Sequence, residues 1–195
     1  MTRTWTAADA CGNRSTASQT ITVVDTFSSS LQVPANLTLE YPANTATNAT
    51  GVATGVDTCG PVTISYADVV TIKCGGTRSI ARTWTASDGC NSTSGLQTIT
   101  IVDTTPPSLH VPANLTLQYP ANTGTNATGV ATATDANGPP TIAYSDVVTN
   151  NCGLTRTILR LWTATDLCGN TTNGLQIIAV VDTQKLTIIC LNIAV

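Results

Sequence analysis

The chain is poor in the groups that do chemistry. Its 195 residues hold one His, one Phe and one Met, and only 10% are charged. Eight basic residues are scattered, giving a net charge of −3. No basic stripe is present to neutralise phosphates, which argues against nucleic-acid binding. No apolar run approaches the ~18 residues a membrane helix needs. No signal peptide is visible after Met1, so either one was removed or the reading frame is part of something longer. No C-x-x-C pair accompanies the seven Cys, which argues against a zinc site. There is no G-x-S-x-G elbow, no nucleophile–base pair and no phosphate-cradling Gly loop. The sequence is expected to be non-enzymatic.

What is abundant is Thr, 39 of 195, with 16 Val and 13 Ile beside it. These side chains are stiff at χ1 and fit a pleated surface, so the composition reads as all-β. Internal repeats then organise the chain. Residues 31–58 read LQVPANLTLEYPANTATNATGVATGVDT, and 109–136 read LHVPANLTLQYPANTGTNATGVATATDA. They agree at 22 of 28 positions. RTWTASDGC at 82–90 returns as RLWTATDLC at 160–168, and LQTITIVDT at 96–104 as LQIIAVVDT at 175–183. The N-terminus, with RTWTAADACGN at 3–13 and QTITVVDT at 19–26, is the close of a third copy. The expected organisation is a C-terminal hairpin of an incomplete repeat (1–26), two whole repeats (27–104 and 105–183) and a lone strand (184–195).

Within the first repeat, strands are expected near 31–41, 50–56, 62–69, 78–87 and 95–103, with an edge strand near 69–73. Short strands bounded by Gly, Pro, Asn and Asp are the β-sandwich pattern. The link VDTTPPSL carries Pro106 and Pro107, which fix φ and predict domains stacked end to end as a semi-rigid rod.

The DTTPP link, the PANLTL opening strand and the RTWTAADACGN hairpin together resemble hyalin-repeat (HYR-like) domains. That resemblance covers nearly the whole chain. It implies immunoglobulin-type sandwiches in tandem, of the kind found on bacterial surface and secreted adhesion proteins, and hence an extracellular or cell-surface location. The chain departs from the family at the opening strand, where Val33 and Val111 stand in place of a frequent Cys; only the tail, with Cys190, has one there.

A strand of roughly nine residues separates Cys74 from Cys90 and Cys152 from Cys168, a span of ~30 Å. A disulfide needs Cα atoms within ~7 Å, so geometry argues against both pairs. In a sandwich, Cys59 and Cys90 fall on loops at one end, and their pairing is the favoured one. Asn137 replaces that partner in the second repeat. A Cys74–Cys168 bond is then open, and by the same logic Cys152 with Cys11 of a neighbouring subunit. The alternative for these later pairs is buried, reduced thiols.

Asp25, Asp57 and Asp88, and equivalently Asp103, Asp135 and Asp166, are oxygen-rich sets that suit Ca²⁺ at domain junctions, though Asp also caps turns with its own side chain. No cofactor is required by anything else in the sequence. N-x-S/T sequons at Asn13, Asn36, Asn48, Asn91, Asn114, Asn126 and Asn170 are glycan acceptors if the chain is glycosylated. Trp5, Trp84 and Trp162 each follow an Arg by two positions, which predicts core or cation–π packing on one strand face. The tail residues Leu186, Ile188, Ile189, Leu191, Ile193 and Val195 make an apolar strand that invites pairing with another chain. The function expected is a structural subunit of an extracellular filament or surface stalk, a homopolymer joined head to tail by strand pairing. The alternatives are an adhesin segment that binds carbohydrate or protein, and a fragment of a larger secreted repeat protein.

Overall fold

The computed structural model describes residues 1–186. Its elements in chain order are β1 (Thr2–Ala8), β2 (Arg14–Thr20), β3 (Ser30–Gln32), β4 (Leu37–Glu40), α1 (Thr47–Thr50), β5 (Thr54–Val56), β6 (Thr63–Ile72), β7 (Arg78–Ser87) and β8 (Ser92–Val102), followed by β9 (Ser108–His110), β10 (Leu115–Gln118), α2 (Thr125–Thr128), β11 (Thr132–Thr134), β12 (Thr141–Asn150), β13 (Arg156–Thr165) and β14 (Thr171–Val181). The described residues are all-β apart from two single helical turns. Two four-stranded sheets, ordered β4-β8-β7-β6 and β10-β14-β13-β12, are each accompanied by a two-stranded sheet, β3-β5 and β9-β11. β1 and β2 form a separate hairpin.

Two compact units result. One holds Met1–Leu37, Asn44–Val70 and Ile80–Ile99; the other holds Thr38–Ala43, Thr71–Ser79 and everything from Thr100 onward. The division therefore runs across the first four-stranded sheet, and not at the Pro-rich link.

The expected strand at 31–41 is two strands. Pro34 cannot donate to a ladder, and the chain leaves the small sheet there and joins the large one at Leu37. The strand expected at 62–69 and the edge strand at 69–73 are one, β6, because Asp68 lies on its exposed edge and does not interrupt it. The stretch 50–56 opens as α1 and is extended only from Thr54.

Alternation places Ile80, Arg82, Trp84 and Ala86 of β7 in the interior, with Gln97, Ile99 and Ile101 of β8. Ile158, Arg160, Trp162 and Ala164 of β13, with Gln176, Ile178 and Val180 of β14, repeat the set. Charge and amide sit inside because each is fully bonded. Arg82 grips both carboxylate oxygens of Asp68 at 2.8 Å and donates to Thr50 Oγ1 and the Thr45 carbonyl. Its guanidinium lies over the Tyr66 ring at 4.6 Å and near Trp84 at 5.9 Å. Trp84 Nε1 donates to Gln97 Oε1, and Gln97 Nε2 donates to the carbonyls of Ala35 and Thr50. Arg160, Asp146, Tyr144, Trp162 and Gln176 reproduce this bond for bond. The paired Arg–Trp pattern is therefore core and cation–π packing in both large sheets. In the hairpin, Arg3 lies 5.6 Å from an exposed Trp5 ring. Hydrogen bonding to Arg82 holds the Asp68 carboxyl below its ordinary range, against the opposing effect of burial.

Candidate functional site

Repetition makes a turn after β6 and again after β12. At the first, Lys73 N donates to Thr77 O and Thr77 N to Cys74 O, Thr77 Oγ1 also donates to Cys74 O, and Gly75 takes a φ of 54°. At the second, Asn151, Thr155, Cys152 and Gly153 make the same bonds, with Gly153 at 61°. The αL value explains the Gly in both.

The first turn is fastened. Cys74 forms a disulfide with Cys168, with Cα atoms 5.1 Å apart. Beside it, Asn137 is buried, with both side-chain polar atoms and its backbone N–H hydrogen-bonded. Its Oδ1 accepts from Gly76 N at 2.6 Å, its Nδ2 donates to Asp103 Oδ2 at 2.9 Å and reaches Cys168 Sγ at 3.2 Å, and its backbone N–H donates to Asp135 Oδ1. In the sequence Asn137 stands out only as a missing Cys; its role is to receive the turn. Its position opposite Gly75 and Gly76 also explains the Gly pair, since a Cβ on Gly75 would fall 2.5 Å from Asn137 and one on Gly76 would strike the Tyr41 ring.

Around Asn137, a carboxylate oxygen from each of Asp103, Asp135 and Asp166 lies within 4.8 Å of the others. Asp166 is buried. Burial alone would raise its pKa, but hydrogen bonds from the Asn170 side chain and from the backbone N–H groups of Asn170 and Cys168 outweigh this and hold it below the ordinary range. Glu40 steadies the adjoining link by accepting from Thr104 N and Thr105 Oγ1. Three hard oxygen donors in one hollow fit Ca²⁺ chemistry.

The equivalent place near the N-terminus shares this backbone scheme, with Cys59 standing where Asn137 stands. Cys59 N donates to Asp57 Oδ1, Cys90 N to Asp88 Oδ1, and Asn91 Nδ2 to the Asp25 carbonyl, as Asn137, Cys168 and Asn170 do in their copy. The loop carrying Cys90 is one residue shorter than that carrying Cys168. The cluster here is Asp25, Asp57 and Cys59, and Asp88 is not part of it; Asp88 instead accepts from Ser29 Oγ. A thiol in place of a third carboxylate makes this set a poorer fit for a hard cation.

Cys59 and Cys90 are both free and exposed, so the favoured pairing is absent from the structure. Each backbone N–H is tied down by its own Asp, and Asx-type bonding orients each loop independently of the other. Cys11 and Cys152 are also free, and exposed, not buried. Hydrogen bonding from Thr58 lowers the Cys59 pKa, but burial and the carboxylates of Asp25 and Asp57 outweigh it and leave the thiol raised. Of the proposed tail strand, Leu186 is exposed; Ile188, Ile189, Leu191, Ile193 and Val195 lie outside the described residues, as does Cys190.

The sequons fall into two groups. The Nδ2 atoms of Asn13, Asn91 and Asn170 are engaged with Asp9, Asp25 and Asp103. Asn36 and Asn114 are exposed and accept through Oδ1 from Thr98 N and Ile177 N, bonds that do not engage the amide nitrogen a glycan would use. Asn48 and Asn126 are exposed on the helical turns.

No family model and no curated protein matches this chain. Among solved structures it is similar to a protocadherin gammaB4 extracellular domain, at 15% identity over 92% of this chain and 38% of that one, with a TM-score of 0.33. It is similar to human protocadherin-24 EC1-2 at 16% identity over 76% and 95%, also with a TM-score of 0.33. An endo-fucoidan hydrolase of glycoside hydrolase family 107 is similar at 12% identity over 93% and 34%, with a TM-score of 0.25. The chain thus spans under two fifths of the first and about a third of the last. Likeness at this level assigns no activity, ligand or partner.

Proposed function

We propose that this protein is a structural segment of an extracellular filament or surface stalk. The observation that carries the reading is the Cys74–Cys168 disulfide, formed between a turn and a hairpin loop that recur along the sequence. A device that locks one copy of a repeat to another serves length and mechanical continuity. The interior residues that differ from an ordinary apolar core, Arg82, Trp84 and Gln97, are the same in both copies, as a scaffold requires. A covalent staple of this kind suits an oxidising, extracellular setting. On the same reading, the four outward sequons at Asn36, Asn48, Asn114 and Asn126 are the glycan acceptors, and the tail strand from Leu186 is donated to a neighbouring copy.

Electron microscopy of the native material is the test. Ordered fibres or rods are expected, and deletion of 184–195 is expected to reduce them to short species; fibres unchanged by the deletion would remove strand donation from the account. Ca²⁺ at Asp103, Asp135 and Asp166 is expected to stiffen the joint. Calcium a hundredfold above its Kd would add about 2.7 kcal/mol to the stability of the unit holding the site. The corresponding readout is a Tm raised by calcium and returned by EDTA, whereas a Tm indifferent to both would discard the ion.

A further inference from the structure

The Cys74 turn is engaged and the Cys152 turn is not, although the two share one geometry down to the φ of Gly75 and Gly153. Likewise the Cys168 loop is engaged and the Cys90 loop is not, although Asp88 orients Cys90 as Asp166 orients Cys168. Among the described residues, the chain therefore carries one turn seated in its receiving hollow, one unseated turn, and a second hollow of the same build that receives no turn.

The unseated pair is matched in the residues that differ. In the seated joint, Gly76 of the turn donates to Asn137 of the hollow. The equivalent of Gly76 is Leu154, which is exposed, and the equivalent of Asn137 is Cys59. A bulkier side chain on the turn is thus paired with a smaller, less polar one in the hollow. The surroundings agree. In the seated joint, Tyr41 lines a cavity with Asp103, Thr105, Pro106 and Asp135. Tyr119 lines a cavity with Cys152, Leu154 and Thr155, and a separate one is lined by Phe27, Ser28, Val56 and Asp57. These hold the equivalents of the two sides of the seated cavity, and the exposed Phe27 offers an aromatic surface to Tyr119 where Thr105 faces Tyr41.

We propose that the Cys152 turn of one chain seats in the hollow formed by Asp25, Asp57, Cys59 and Cys90 of a second copy, and that Cys152 and Cys90 close an intermolecular disulfide joining copies head to tail. The proposal deepens the filament reading and rests on it. The oxidant is a low-molecular-weight disulfide. The Cys90 thiolate attacks one of its sulfurs and releases one small thiol, and the Cys152 thiolate then attacks the mixed disulfide and releases the second. Two protein thiols and one small disulfide become one protein disulfide and two small thiols. Cys59 shares the hollow, but it stands where Asn137 stands in the seated joint, whereas Cys90 stands where the bonded Cys168 does.

The experiment uses the full chain with its exposed thiols reduced, then incubated with oxidised glutathione and run on non-reducing gels with peptide mapping. A ladder of multimers is expected, with the 90–152 cross-linked peptide as its dominant link. Cys90→Ser and Cys152→Ser should each abolish the ladder. An equimolar mixture of the two variants should stop at a dimer, because only one Cys90 and one Cys152 remain to meet. A ladder that survives either substitution, a link mapping to Cys11–Cys152 or Cys59–Cys90 in place of 90–152, or no multimer at all, would overturn the proposal. Fibres seen by microscopy under reductant, with no 90–152 peptide under oxidant, would overturn the covalent joint and leave the filament reading standing; monomers by both measurements would overturn both.

Discussion

Replacing Cys74 and Cys168 together by serine is expected to cost the unit that holds them about 4–5 kcal/mol. The bond closes a loop with a sequence separation of 94. In the chain-entropy account, a constraint on a loop of about 100 residues removes roughly 4.7 kcal/mol of freedom from the unfolded chain. The double substitution avoids leaving an unpaired thiol. Guanidinium denaturation of oxidised wild type against the double variant measures the difference, and wild type held in reductant should fall with the variant. A loss under about 1 kcal/mol, the scale of a single net hydrogen bond, would mean that Asn137 and its hydrogen bonds hold the turn without the sulfur bridge.

Truncating Trp84 or Trp162 to alanine is expected to destabilise by about 3–5 kcal/mol, the usual range for deleting a buried indole. Both are 2% exposed. Each loss also strips the hydrogen bond to Gln97 or Gln176 and one face of the arginine stack. The two effects should agree closely, because the surroundings match in every hydrogen bond described above. Trp5 is the internal control. It occupies the same place in the repeated sequence but is 57% exposed on the β1–β2 hairpin, and its substitution should stay within about 0.5 kcal/mol. Tryptophan emission during denaturation reports each variant. An equal loss at all three positions would show that the hairpin is covered in solution.

The all-β fold is legible in the sequence because Thr, Val and Ile dominate and the repeat is nearly verbatim. The β7 and β13 strands are legible for a related reason, as Ile80, Arg82, Trp84 and Ala86 alternate without interruption. The break at Pro34 has a physical signal, since a residue without an N–H in a long strand favours a change of sheet, but the apolar alternation on either side of it masks the change. The two helical turns at 47–50 and 125–128 are invisible, since four Thr-, Asn- and Ala-rich residues carry no periodicity.

The candidate site is half legible. Repeat arithmetic brings Cys74 to Cys168, and the carboxylates of Asp103, Asp135 and Asp166 to one place. The weight of Asn137 does not show in the sequence, because it lies in what the side chain touches across 61 residues of sequence. Cys59 and Cys90 are brought to one end by loop placement alone, and loop placement does not fix the direction in which a thiol points.

In the second large sheet, β10 runs parallel to its neighbour β14, with Leu115 opposite Ile178 and Gln118 opposite Val181. While the Cys74–Cys168 bond is intact, the load passes through it and bypasses β10; once it is reduced, the backbone enters at the start of β10 and leaves at the end of β14, so tension on the chain slides these two strands past one another. Their bonds are strained together, along with those of Tyr119 N to Val181 O and Ile177 N to Asn114 Oδ1, instead of opening one after another like a zip. Rupture under load then requires one concerted event, which gives the segment a high breaking force from few bonds.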